Sequence, residues 1–221
     1  MLSHKHKTIF IHIPKTAGQS IELAFLQDLG LSWKTRAPLL LRANEYPLLG
    51  PPRLAHLNYR AYADHHYLNQ ELLDEYFTFS FVRNPYTRAI SLYKYMSGQD
   101  KSFSDFICTD FLLLHHKENW FFQSQSSFIC DDRGIPMIDF VGRFETIKTD
   151  FEIVAKRAKL KSHKLPRRNI SKEKNQGHKL SKTAMKNFTQ ESLEIINTIY
   201  ADDFKYFYHE QKITSLDSIE I

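Results

Sequence analysis

Glycine is scarce in this chain, with seven in 221 residues, while aromatic residues make up 14%. That balance, with no repeat and no low-complexity tract, excludes a disordered or biased polymer. Cysteine is scarcer still. Cys108 and Cys130 have no metal-ligand spacing, and without a secretory signal they read as free thiols of a reducing compartment. No apolar run is long enough to span a bilayer, so stable membrane insertion is not expected. The first residues, Met1 to Lys7, are basic but lack a separate apolar region and cleavage site, which argues against a signal peptide.

The length suits a single domain over residues 1–221, large enough to bury a core. Net charge is +5 and unevenly placed. Lys156 to Lys179 carries ten Lys/Arg against one acid, Glu173, for +9, and the remainder sums to −4. Such a block reads as a nucleic-acid surface, a solvated helix face with its loop, or a cation cluster drawing an anionic cofactor into a cleft. A mixture of the last two is preferred, because a phosphate site is indicated elsewhere.

That indication is Thr8-Ile-Phe-Ile-His-Ile-Pro14-Lys15-Thr16-Ala17-Gly18-Gln19-Ser20. An apolar run stops at Pro14, and Ile21, Ala24 and Phe25 then recur at helical spacing. Strand, loop and helix in this order aim backbone N–H groups at an anion. The Walker pattern of nucleotide triphosphatases places Lys after the second Gly. Here Lys15 precedes Gly18, the only glycine of the loop. A second turn follows the apolar run Phe77–Val82. Arg83 ends that strand, Asn84 suits an N-cap and Pro85 a first helical position. A strand-end arginine offers paired donors to phosphate. No acid stands there to hold Mg²⁺, as a kinase would need. Arg88 allows a buried structural pair, with Glu145 one candidate, as readily as ligand contact.

The first loop resembles the 5′-phosphosulfate loop of sulfotransferases that use 3′-phosphoadenosine 5′-phosphosulfate (PAPS), closest to carbohydrate enzymes of the heparan sulfate 2-O-sulfotransferase type. Their usual wording is I-P-K-T-G-G-T-S. Ala17 replaces a glycine, which predicts a backbone there that avoids positive φ, and Gln19 replaces a hydroxyl. Arg83-Asn-Pro-Tyr-Thr-Arg88-Ala-Ile-Ser91-Leu-Tyr93 matches the family's R-x-P-x-x-R-x-x-S-x-Y motif for the donor 3′-phosphate. Leu165-Pro-Arg-Arg168-Asn169-Ile-Ser171 resembles a late loop beside the nucleotide. Gly142-Arg-Phe-Glu145 and Tyr200-Ala-Asp-Asp-Phe204 resemble structural segments.

The resemblance implies a P-loop NTPase-like three-layer α/β fold with a mostly parallel sheet flanked by helices. It implies PAPS as donor, no metal, and a glycan or other hydroxyl-bearing acceptor. Pro14, Lys15, Thr16, Ala17, Gly18, Gln19, Ser20, Arg83, Ser91, Arg168, Asn169 and Ser171 would bind the donor. Lys15 would stabilise the leaving oxygen. Leu54-Ala-His56-Leu-Asn-Tyr59 resembles the segment that supplies the catalytic histidine, with His65, His66 and Glu45 in reserve. Animal relatives are anchored Golgi enzymes, so a chain without an anchor reads as a bacterial, cytoplasmic version with no nucleic-acid partner. Two other readings stand beside this one. They are a small-molecule kinase with an aberrant P-loop and a non-enzymatic anion- or RNA-binding module. Tyr59, Tyr62 and Trp120–Phe122 are read as core rather than as sugar-stacking platforms.

Overall fold

The structure is a computed structural model that describes residues 1–96, 100–166 and 185–216. Four strands, β1 (Leu2–Ser3), β2 (Thr8–Ile11), β3 (Phe77–Val82) and β4 (Phe140–Arg143), form one sheet in that order. β2, β3 and β4 are parallel, in register Phe10↔Phe79 and Ser80↔Val141, and β1 pairs antiparallel at the edge. All four β2 residues are buried, as a parallel strand covered on both faces should be. The short β1 ties down the N-terminus. His4 bonds Tyr76 and His6 bonds both Ser3 and Asp28.

Contacts divide the chain into two compact units, Met1–Val82 with Phe128–Lys174, and Arg83–Ser127 with Asn175–Ile221. The first holds the sheet. Helix α1 (Gly18–Asp28) brings Ile21, Ala24 and Phe25 to its core, and helix Ile147–Arg157 brings Phe151, Val154 and Ala155. Phe10, Phe25 and Phe79 stack with centroids 5.0 and 6.1 Å apart. Gly142 in β4 leaves room for Phe81, whose ring lies 2.6 Å from where a Cβ would stand. The Ile147 helix opens where Asp150 turns back to accept from the Arg143 amide and the Thr146 hydroxyl.

Residues 34 to 66 contain no strand, only an isolated bridge between Ala43 and Arg53. Prolines there fix φ and remove donors. Single 3₁₀ turns result, including Pro47–Leu49 and Leu54–His56, followed by α2 (Ala61–Asp64) and α3 (Gln70–Glu75).

The second unit starts with α4 (Pro85–Met96), capped as expected by Asn84, whose side-chain oxygen accepts from the Tyr86 and Thr87 amides. Residues 103–116 are helical through a π-turn at Ile107–Phe111. The chain then leaves the helix near Glu118, at φ 53°. Thr189 caps helix Gln190–Ile199. The chain bends at Tyr200, and a second helix spans Ala201–Phe207. Cys108 and Cys130 are thiols, not a disulfide. Among the described residues no helix is long and apolar enough to cross a membrane.

Candidate active site

The loop between β2 and α1 has an unusual backbone. Lys15 and Ala17 both hold positive φ, 71° and 70°. Ala17 is therefore left-handed (ψ 19°), contrary to the expectation that alanine there signals an ordinary backbone. The family's glycine would take this conformation freely, whereas alanine pays roughly 1 kcal/mol. Ala17 is also the N-cap of α1, and its methyl side chain offers no capping oxygen. The Ser20 amide of the first turn donates to the Ala17 carbonyl at 3.0 Å, and the helix start carries the positive end of the helix dipole. Pro14, Thr16, Gly18 and Ser20 are buried, Lys15 and Ala17 half-buried, and Gln19 exposed. The Thr16 hydroxyl donates to the Ile13 carbonyl at 2.9 Å, so its proton braces the loop.

Beside this loop lies His56, at the end of its 3₁₀ turn. Its Nδ1 is 2.8 Å from the His12 carbonyl oxygen. A carbonyl only accepts, so Nδ1 carries the proton and the neutral ring keeps its lone pair on Nε2. Burial, reinforced by the neighbouring His12, pushes the His56 pKa well below the ordinary 6.5. The residue is thus neutral, in one tautomer, with a proton-accepting nitrogen. Those are the properties of a general base near neutral pH.

His12, just past the end of β2, is buried and organises this corner. Its ring stacks on Phe10 at 5.4 Å and lies tilted against His56 at 4.3 Å. Its Nδ1 is 2.6 Å from Oε1 of Glu22, a buried carboxylate on α1. A Cβ on Gly18 would come within 2.1 Å of the ring, so the loop's glycine makes space for His12. Neither residue stands out in the sequence as part of a site. The available signal was an acid, Glu22, set among Ile21, Ala24 and Phe25 on a core-facing helix.

The sequence profile of the sulfotransferase family matches residues 1–209. The chain belongs to the sulfotransferase family. No curated protein and no solved structure matches it. Membership supports sulfuryl transfer as the chemistry of the chain, and it sets aside the kinase and the non-enzymatic module.

In the second unit of this sulfotransferase, Arg83 directly follows β3 and is half-buried. Gln125 clamps its main chain, accepting from the Arg83 amide at 2.7 Å and donating to its carbonyl at 2.8 Å. Gln125 is itself held by Asp203, a fully buried carboxylate that accepts from the Gln125 and Ser126 amides at 2.9 Å. The Arg83 Nε donates to the Thr87 hydroxyl one helical turn on. Ser91 lies half-buried on α4. Arg88 is structural. It is fully buried, donates to the Gln123 carbonyl at 2.9 Å and sits 5.0 Å over the Tyr200 ring. Burial raises the Asp203 pKa, and the Arg88 charge opposes the rise.

The remaining candidates fall elsewhere. His65 and His66 follow α2, and Glu45 is exposed on the loop after Leu41. Tyr62 and Phe122 are core, whereas Tyr59, Trp120 and Phe121 are half-buried. Arg168, Asn169 and Ser171 lie outside the described residues. Of the basic block, Arg157, Lys159 and Lys161 line a cavity of about 480 Å³ with Lys5, His6 and Lys7. That cavity lies where β2 and β3 begin, and the Pro14–Ser20 loop follows the end of β2. These three residues therefore line a cavity at the other end of β2 from the loop. Among the described residues no group of three His, Cys, Asp or Glu side chains is placed to hold a metal ion.

Proposed function

We propose that this sulfotransferase moves a sulfuryl group from PAPS to a hydroxyl of a carbohydrate or glycan acceptor. The observation that carries the reading is the juxtaposition, within one unit, of the α1 N-terminus following Lys15 and a histidine held as a neutral base by the His12 carbonyl. The donor, when bound, supplies an activated sulfuryl group on a phosphate leaving group. The first-turn amides of α1 and the Lys15 ammonium then meet its 5′ anionic end and stabilise the charge that develops on the leaving oxygen. His56 takes the acceptor proton on Nε2 and passes the resulting charge to a ring already braced at Nδ1.

The motif match assigns Arg83 and Ser91 to the 3′-phosphate, and Arg168, Asn169 and Ser171 to the nucleotide. On this reading both units work as one sulfotransferase domain over residues 1–221, since the family match runs across both. Half-buried aromatics such as Tyr59 offer a face to a sugar ring. We also propose a cytoplasmic, bacterial enzyme that needs no metal. The test is ³⁵S transfer from labelled PAPS to a panel of polysaccharides and glycans, with tyrosine peptides and small phenols as comparison. Label on a glycan hydroxyl supports the assignment, and label confined to the phenols or peptides refutes the acceptor class while leaving sulfuryl transfer intact.

A further inference from the structure

The Glu22–His12 pair has no role in the donor and base assignments above, yet it is the most completely built polar constellation beside the loop. Both side chains are buried, at 3% and 6% exposure. A buried carboxylate is retained at cost unless a partner meets it. Here the partner is the His12 Nδ1–H at 2.6 Å.

His12 is held on its other sides as well. The bare Cα of Gly18 admits its ring edge, and Phe10 stacks on its face. A ring fixed at this many points fixes the backbone that carries it, and that backbone supplies the carbonyl to which His56 Nδ1 donates. The His12 ring also lies against the His56 ring at 4.3 Å, with planes 45° apart, and so limits how far that imidazole can tilt.

We infer that Glu22 and His12 are positioning residues, with Glu22 orienting His12 and His12 holding His56 in the Nδ1–H tautomer, which leaves the ring's lone pair on Nε2. This rests on the reading of His56 as the base and deepens it. The logic is that of a hydrogen-bonded group behind a working imidazole, with a main-chain carbonyl taking the place of the usual carboxylate. It also accounts for the loop's only glycine. The residue at 18 must be small because a histidine, rather than solvent, fills the space beneath the helix start.

The test reads the tautomer directly and needs neither donor nor acceptor. The full chain is labelled with ¹⁵N-histidine, and two-bond ¹H–¹⁵N correlations are recorded at mildly alkaline pH, with the His56 signals assigned by their loss in His56→Gln. The native protein should show His56 as Nδ1–H by about tenfold over the other tautomer, roughly the worth of one hydrogen bond. Glu22→Ala should erode that preference several-fold. If Glu22→Ala does not fold by circular dichroism, His12→Asn is read the same way. A native His56 in the Nε2–H tautomer, or an unchanged preference in the folded variant, overturns the inference. Failure of the base assignment itself has a separate signature, since His56→Gln would then retain sulfuryl transfer whatever the tautomer.

Discussion

Ala17 shows how much one residue can conceal. Its sequence context predicts an ordinary backbone, yet the structure sets it at φ 70°, because closing β2 onto α1 in so few residues demands left-handed turns at both Lys15 and Ala17. Ala17→Gly should therefore stabilise the protein by about 1 kcal/mol, read as a raised urea midpoint at unchanged slope. A lowered midpoint would mean that the loop relaxes away from this geometry. His56 gives a second test at this scale. Its folded pKa is depressed, so between that value and 6.5 the unfolded chain binds more protons than the native one, and stability rises with pH through that window. The stability it contributes is lost as pH falls from 6.5 towards the folded value. His56→Gln should flatten this part of the stability profile. The acid limb of transfer in the unaltered enzyme should likewise lie below 6.5, and a limb at or above 6.5 would contradict a depressed base. Lys15, Gly18 and His56 were legible because each occupies a motif. His12 and Glu22 were not, because their meaning comes from a meeting across ten residues of chain that no spacing rule encodes.

At the level of elements, the two strand–turn–helix units were the clearest part of the sequence, and the structure shows why. Buried runs at Thr8–Ile11 and Phe77–Val82 make adjacent parallel strands, and a proline or a capping asparagine ends each abruptly. The irregular segment before α2 was less legible, since its prolines mark turns without saying which. The terminal Tyr200–Phe204 segment read as core. Its Asp203 proves to be the anchor of a hydrogen-bonded chain through Gln125 to the Arg83 main chain. Removing Gln125's polar head should leave both Arg83 main-chain groups without these partners. Gln125→Leu is thus expected to weaken binding of 3′-phosphoadenosine 5′-phosphate about tenfold, the scale of one or two lost hydrogen bonds. Calorimetric titration checks this, and unchanged affinity would show that Arg83 does not depend on the clamp. Asp203→Ala should cost about 3 kcal/mol of stability by stranding the buried amides it serves and the Arg88 charge beside it.

For the whole molecule, composition bounded the size and the α/β pattern but not the division into two compact units, which depends on contacts distant in sequence. Nor did it separate the uses of the positive charge. Arg157, Lys159 and Lys161 of the basic block gather at the start of the strands with Lys5 and Lys7, an arrangement that net charge alone does not reveal. We propose that Lys15 and the α1 N-terminus form a sulfuryl-donor site. The most direct test is single-turnover transfer of ³⁵S from labelled PAPS by the full chain and by Lys15→Ala, with ATP as a competing ligand. Transfer by the unaltered enzyme is expected, with a loss of at least about a hundredfold in Lys15→Ala on the scale of removing one transition-state donor, and little competition from ATP. Near-normal transfer by Lys15→Ala, or ATP binding in preference to PAPS, would contradict it.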